Sequence, residues 1–437
     1  MTETSATLTP AWTWYEKMAF RFFFIFLLFH AEPWTWISRI PYIGEALDFI
    51  SGPYYQFFEW LVGLVKRDVL DTDIVIAQSG SGDSLDSWVV YTIIPIIAAI
   101  GCLIWTVLDP RRRDYNFLST WLQVICRYYL SMTMFIYGFI KLFPMQMSVP
   151  TLSQLVTPLG ELSPMRLAWL FIGASPAYEI FSGCCEVVGA ILLLWRRTSS
   201  LGALILVAVL GHVVALNFFF DIPVKLYSAM LLVMTIYLLV PNIRQYWAFF
   251  ILHLPVKLTV PSLNLTKKWL RVTRMVLKVV LILSIGVAPF YENMTAYNNG
   301  AAGNGADTGV IKGYFDVEDF KVNGQELTYT DENRWENVVF ENWNGGSVRT
   351  GAPHGQLSRY GRAYFDYTPD TTNKMVRFKF RRNGVSKYAL RYTTLDKDRV
   401  LLTGRRDSDS LYVLLRKRST DHFGLMKPFN WVHNSVP

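Results

Sequence analysis

Long apolar segments separated by short polar ones fill the first 290 residues of the chain. Seven of these segments are each long enough for a helix to cross about 30 Å of hydrocarbon, which takes roughly 17–25 residues. We therefore predict seven transmembrane helices, at residues 18–36, 87–108, 117–143, 175–195, 199–219, 223–241 and 270–290. Two shorter stretches, 52–66 and 246–254, are predicted to lie on the membrane surface.

The pattern changes after the last apolar segment. Residues 298–310 consist largely of Asn, Gly, Ala and Asp, which is typical of a flexible linker. Beyond them, short alternating runs such as Met375–Phe380 and Leu411–Leu415 predict β-strands. The turn signals between such runs are Asn383-Gly384, Asp396–Asp398 and Asp407–Asp409. Residues 311–437 are therefore predicted to form an antiparallel sandwich or small barrel.

These patterns predict a membrane all-α bundle followed by an all-β domain, with five regions along the chain. They are an N-terminal transmembrane region with an outer interfacial loop (1–116), a four-helix core (117–241), a cytoplasmic interfacial segment with the last transmembrane helix (242–297), a flexible linker (298–310) and an extracytoplasmic β-rich domain (311–437).

Composition and charge agree with a membrane protein. Hydrophobic residues make up 52% of the chain and charged residues only 17%. The net charge of +8 does not indicate a nucleic-acid partner, because the basic residues cluster in short loops at 111–113, 196–197 and 267–274. Such loops stay on the cytoplasmic side. We therefore expect the N-terminus inside and the β-rich domain outside, with membrane lipid as a partner.

Three ionisable residues, Arg127, Glu186 and His212, lie deep inside predicted spans. At about 1.5 Å per residue, Arg127 and Glu186 lie ~15 Å from the cytoplasmic edge and His212 ~20 Å. Because a charge is costly in hydrocarbon, we predict a midplane polar layer in which Arg127 pairs with Glu186. A histidine is the kind of residue that can exchange a proton near neutral pH. The layer serves either proton transfer or ligand binding, or it only fixes the helix register.

A second polar cluster is predicted near the outer face. Its members are Lys141, Tyr178, Glu179, Asn217, Asp221 and Lys225. Tyr178 and Asn217 are placed to donate hydrogen bonds to a lipid headgroup or a quinone oxygen. The simpler interpretation is that the lysines extend to the interface, as lysines at span ends do.

Standard catalytic and cofactor motifs are absent from the sequence. There is no P-loop, GxGxxG, HExxH, nucleophile elbow or Cys/His metal spacing, so we assign no catalytic residue and no metal. The four cysteines lie in or beside predicted spans, and none lies in the β-rich domain. That domain is therefore not a disulfide scaffold.

Residues 117–240 resemble the DoxX family of small bacterial membrane proteins. The resemblance rests on the stretch ending YGFIKLFPMQ at Gln146 and on the stretch beginning SPAYEIFSGCCEVVG at Ser175. The positions that match the family pattern are Gly183, Glu186, Leu192–Leu194, Arg196 and Arg197. The resemblance implies a four-helix core, here in a subgroup with extra helices and a C-terminal domain, and a bacterial cytoplasmic membrane with the β-rich domain in the periplasm.

The family's founding members are associated with a thiosulfate:quinone oxidoreductase, and others with membrane complexes that respond to thiol or oxidative stress. The resemblance therefore implies a quinone or other small amphiphile as ligand and a redox or envelope protein as partner. Two alternatives stay open. One is a non-enzymatic envelope assembly protein whose β domain recruits a partner, and the other is a small-molecule transporter, although no inverted repeat is evident.

Overall fold

A computed structural model describes residues 11–36, 44–71, 82–260, 266–301, 308–328, 331–352, 358–381 and 387–427. The chain forms two compact units. The first lies within Met1–Phe143 and Ile180–Thr295, and the second within Pro144–Glu179 and Ala296–Pro437. The predicted turn at Asn383-Gly384 and residues 302–307 of the predicted linker lie outside the described residues.

The first unit is helical, as the apolar segments predict. Its helices are α1 (Trp14–Ala31), α2 (Pro33–Trp36), α3 (Gly44–Asp68), α4 (Leu85–Leu108), α5 (Asn116–Leu142), α8 (Pro176–Leu194), α9 (Ser199–Phe219), α10 (Lys225–Leu239), α11 (Ile243–Phe250), α12 (Lys268–Ile282) and α13 (Ala288–Asn298). A five-residue π-helical segment joins α12 to α13. Helices α6 (Leu152–Leu155) and α7 (Pro164–Gly173) belong to the second unit.

Five described helical stretches are long and apolar enough to cross a membrane, which confirms a multi-pass membrane protein. They are α4, α8, α9, the α10–α11 stretch Lys225–Phe250 and the α12–α13 stretch Lys268–Asn298. The predicted spans in α1 and α5 are helical but more polar. Because α1 carries Glu16, Lys17 and Arg21, and α5 carries Arg127 and Lys141, the count of seven spans stays a prediction.

The charged residue Arg21 of α1 is buried inside the helical unit. Its guanidinium donates to the Tyr115 hydroxyl at 2.8 and 3.0 Å, to Thr106 Oγ1 at 2.8 Å and to the Asp109 carbonyl at 2.7 Å. Only 3% of Arg21 is exposed. A buried charge is tolerated when hydrogen bonds surround it, and here they join α1 to the end of α4 and the start of α5.

The second unit contains a closed antiparallel barrel of eight strands. The strands are β1 (Gly313–Val322), β3 (Trp335–Phe340), β4 (Gly345–Thr350), β6 (Arg362–Asp370), β7 (Met375–Phe380), β8 (Tyr388–Thr394), β9 (Arg399–Arg406) and β10 (Asp409–Arg418). Pairing of β10 with β1 closes the ring. The two-residue strands β2 (Gln325–Glu326) and β5 (Ser358–Arg359) pair with β1 and β6. The predicted β domain is confirmed, and it is a barrel.

Alternating side chains build the barrel core. In β7, Val376, Phe378 and Phe380 are buried while Arg377 and Lys379 are exposed. Each strand sends every second residue inwards, and many of these residues are aromatic, such as Phe340, Phe365 and Phe378. The predicted turns at Asp396–Asp398 and Asp407–Asp409 lie where β8 meets β9 and β9 meets β10.

The second unit also contains residues from the segment between α5 and α8. This segment forms α6 (Leu152–Leu155), a 3₁₀ turn (Leu159–Glu161) and α7 (Pro164–Gly173). The Glu341 carboxylate accepts hydrogen bonds from the backbone N–H groups of Leu152 at 3.1 Å and Ser153 at 2.9 Å. The segment lies within the predicted four-helix core, residues 117–241, so its grouping with the barrel was not expected.

Candidate functional site

Helices α5 and α8 pack antiparallel through small residues. Ser131 Oγ donates to the Ala190 carbonyl at 3.1 Å. Farther along, Gly138 lies against Gly183, where a methyl group on Gly183 would come within 2.7 Å of the Gly138 carbonyl oxygen. Glycines allow helix backbones to approach closely in membranes. This close contact determines which polar side chains of the two helices can meet.

A buried ion pair lies beside the glycine contact. Lys141 Nζ of α5 donates to Glu186 Oε1 of α8. The side chains are only 9% and 2% exposed. Glu186 Oε2 is also buried, and no group in the described part of the chain hydrogen-bonds it. An ion pair in such surroundings is stable only with good geometry and further hydrogen bonds. Glu186 Oε2 is thus an unused hydrogen-bond acceptor, and it lies next to the Lys141 ammonium group.

The predicted pairing of Arg127 with Glu186 is wrong. Arg127 donates instead to the Leu193 carbonyl, from Nε at 2.9 Å and from Nη2 at 2.7 Å. Leu193 lies in the last turn of α8, so the guanidinium satisfies a carbonyl that the helix end leaves open. Because seven residues separate Glu186 from Leu193, about 10 Å of helix lies between the two levels.

His212 does not join a polar layer either. It is exposed on the surface of α9, and α9 turns other residues, such as Leu206 and Leu210, towards the core. The three residues predicted for the midplane thus lie in three different environments. The reason is that equal depth does not place side chains on facing sides of their helices.

Hydroxyl groups that the sequence analysis did not single out lie near the ion pair. Lys141 Nζ lies 6.0 Å from the centre of the Tyr137 ring, and that ring lies 6.3 Å from the ring of Tyr227. The Tyr227 hydroxyl is 3.4 Å from both the Tyr129 hydroxyl and Thr133 Oγ1. Tyr137 and Lys141 are four residues apart, and side chains at this spacing lie on the same helix face. The sequence could therefore have indicated that they are neighbours.

The predicted outer-face cluster divides into separate contacts. Asn217 is buried, and its Nδ2 donates to Ser228 Oγ at 2.9 Å. Lys225 forms an ion pair with Asp221 at 2.8 Å, and the Asp221 side chain is 82% exposed. Lys141 belongs to the buried pair with Glu186. Asn217 and Asp221 therefore organise the connection between α9 and α10.

Tyr178 and Glu179, also predicted for that cluster, belong to the second unit. Glu179 is fully buried and accepts hydrogen bonds from the backbone N–H groups of Gln146 at 3.1 Å and Met147 at 3.0 Å. Tyr178 is 43% exposed. Glu179 thus holds the chain that follows α5, which is a structural role that its position in the sequence did not reveal.

The cysteines and metal ligands give no further site among the described residues. The four cysteines are free; Cys102 and Cys126 are buried, whereas Cys184 is exposed. No group of three or more His, Cys, Asp or Glu residues in the described ranges could hold a metal ion. The buried Lys141–Glu186 pair is therefore the candidate functional site of the helical unit.

Comparisons with known proteins give one informative match. No family model matches the chain, and no solved structure matches it. The uncharacterized protein YwoB of Bacillus subtilis (strain 168) is 35% identical to it over 133 residues, which cover 28% of this chain and 79% of YwoB. The chain therefore belongs to the same family as YwoB.

Proposed function

We propose that the helical unit binds a small amphiphile, a quinone, at the Lys141–Glu186 pair, as part of a redox or stress-related membrane complex. The observation that carries the proposal is the buried Glu186 Oε2, which no described group hydrogen-bonds. A buried acceptor without a partner costs about 1–3 kcal/mol or more, and a ligand that donates to it removes this cost. The resemblance of residues 117–240 to the DoxX family points to the same class of ligand.

The chemistry of the pair suits both states of a quinone. The Lys141 ammonium carries three N–H donors, one of which is used on Glu186. A quinone carbonyl accepts a hydrogen bond from such a donor, and a quinol hydroxyl donates to a carboxylate oxygen such as Glu186 Oε2. The sequence has no flavin, haem or iron–sulfur motif, so a redox role rests on the quinone, on the chain's own thiols or on a partner protein. The chain's own contribution is to bind the ring and to exchange its protons.

The proposal predicts that quinone co-purifies with the detergent-extracted protein. Lys141→Gln and Glu186→Gln should each lower the quinone-to-protein ratio by about tenfold, because each change removes a hydrogen bond from a charged group that is worth about 1.5–3 kcal/mol. Solvent extraction followed by chromatography and mass spectrometry measures the ratio.

The matched control is Lys225→Gln, which removes a lysine from its pair with the exposed carboxylate of Asp221. It should leave the quinone content unchanged. A quinone content no higher than that of an unrelated membrane protein from the same cells contradicts the proposal. So does equal retention in all variants, which favours the alternative that the ion pair only fixes the helix register.

We also propose the orientation that the basic loops indicate, with the N-terminus in the cytoplasm and the barrel in the periplasm of a bacterial cytoplasmic membrane. Exposed Ser410 lies in β10, and Ser199 begins α9. The support is the basic clusters at 111–113, 196–197 and 267–274, which would all lie outside in the opposite orientation.

This orientation predicts the labelling of introduced thiols. A membrane-impermeant maleimide should label Ser410→Cys in intact spheroplasts, but Ser199→Cys only after permeabilisation. The parent protein, with its natural cysteines, gives the background signal. If Ser199→Cys is labelled in intact spheroplasts and Ser410→Cys only after permeabilisation, the protein has the opposite orientation.

A further inference from the structure

A cavity of about 380 Å³ lies in the second unit, between the α6–α7 segment and the barrel. Its lining includes the cations Arg166, Arg359 and Arg381, the single carboxylate Glu341, and the aromatic residue Tyr360. The volume falls in the range of small-molecule sites, about 300–1,000 Å³.

Two of the arginines at the cavity have no carboxylate partner among the described residues. Arg381 is neutralised by Asp366 at 2.7 Å. Both oxygens of Glu341 accept backbone hydrogen bonds from the start of α6. No salt bridge to Arg166 or Arg359 occurs in the described ranges, so their positive charges remain available to a ligand.

Tyr360 holds these two arginines together. The guanidinium carbons of Arg166 and Arg359 lie 5.2 and 5.1 Å from the centre of the Tyr360 ring. Tyr360 and Gly361 both have positive φ, +56° and +68°, and form the tight turn between β5 and β6. Burial raises the pKa of Tyr360, but hydrogen bonds with Ser163, Arg359 and Arg166 outweigh it, so the pKa lies below its ordinary value.

A third unneutralised cation lies behind the cavity. Arg362 is 1% exposed and donates to neutral oxygens, to Ser347 Oγ and Asn337 Oδ1 at 2.7 Å each. Burial lowers the pKa of its guanidinium to about 10, so it stays charged at neutral pH. Ser347 Oγ in turn donates at 2.8 Å to the hydroxyl of Ser153, which lines the cavity. One hydroxyl therefore separates this positive charge from the cavity.

We propose that this cavity binds the phosphate of a phosphate monoester or diester that carries a polar group of about the size of glycerol or a sugar. Planar guanidinium groups bind phosphate oxygens in bidentate fashion, and Arg166 and Arg359 supply two such groups at one ring. The cavity is larger than a bare phosphate, and its remaining wall, with Tyr364 and Trp343, provides aromatic surface for the rest of the ligand. A soluble ester and a lipid headgroup share this chemistry.

The test uses the full-length protein in nanodiscs of zwitterionic phosphatidylcholine, titrated calorimetrically with sn-glycerol 3-phosphate and with inorganic phosphate. Arg166→Gln and Arg359→Gln should each weaken the binding of glycerol 3-phosphate by about tenfold or more, because each removes a charge-assisted contact. Arg166→Lys and Arg359→Lys, which keep the charge but lose the fork, should weaken it less.

The matched control is Arg391→Gln, because Arg391 is an exposed arginine of β8 outside the cavity. The affinity of this variant for glycerol 3-phosphate should equal that of the parent protein. Repeating the titration in nanodiscs that contain phosphatidylglycerol distinguishes a lipid headgroup from a soluble ester as the natural ligand. Competition by this lipid assigns the site to a headgroup, and unchanged binding assigns it to a soluble ester. The proposal is overturned if neither probe binds the parent protein at millimolar concentration, or if Arg391→Gln weakens binding as much as the cavity variants do.

Discussion

Replacement of Lys141 by Met, or of Glu186 by Gln, is expected to destabilise the helical unit by about 3–5 kcal/mol, because each change leaves its partner buried and uncompensated. The double variant Lys141→Met/Glu186→Gln should cost less than the sum of the two single changes, and less than either if the site repacks. Thermal unfolding in detergent, analysed as a double-mutant cycle, measures the coupling.

The pair Lys225–Asp221, whose carboxylate is exposed, provides the control cycle. The Asp221 side chain is 82% exposed, so solvent screens its attraction to Lys225, and Lys225→Met and Asp221→Asn should couple much more weakly than the buried pair does. Simple additivity at Lys141 and Glu186 would show that the two residues do not stabilise each other, and it would remove the physical basis of the proposed quinone site.

The largest effect in the barrel is expected for Phe365→Ala. Phe365 is fully buried, and its ring lies 4.7 Å from that of Phe378, 5.7 Å from that of Phe340 and 5.8 Å from that of Phe380. Truncation of such a side chain leaves a cavity and costs about 3–5 kcal/mol. The expected result is faster cleavage of the second unit by a protease over a range of urea concentrations.

Leu395→Ala is the control for this experiment. Leu395 lies between β8 and β9 and is 52% exposed, so its truncation should change the protease resistance little. Equal sensitivity of the two variants would contradict a barrel whose stability depends on the aromatic interior.

Local patterns were sufficient for most of the secondary structure. The apolar run at 199–219 is the helix Ser199–Phe219, and the alternating run Met375–Phe380 is the strand β7 with the same bounds. Both results depend on periodicity within one segment, which a sequence displays directly. The sequence could not choose between a sandwich and a barrel, because closure depends on the pairing of β1 with β10, about 95 residues apart.

The candidate site was predictable only in part. Glu186 and Lys141 were both recognised as costly charges in or near apolar spans. Depth along a helix, however, does not specify the rotation of the helix or its offset against a neighbour. The contacts of Gly138 with Gly183 and of Ser131 with Ala190 determine that offset, which directs Arg127 to the end of α8 and Lys141 to Glu186.

The sequence by itself determined the apolar helices, the strands and the change from one to the other near residue 300, because each depends on neighbouring residues. Only the tertiary structure decided which distant segments meet. It joined Glu341 to the start of α6, and Arg166 to Tyr360, across about 190 residues of sequence. Such contacts depend on how the chain returns on itself, and no local pattern encodes that path.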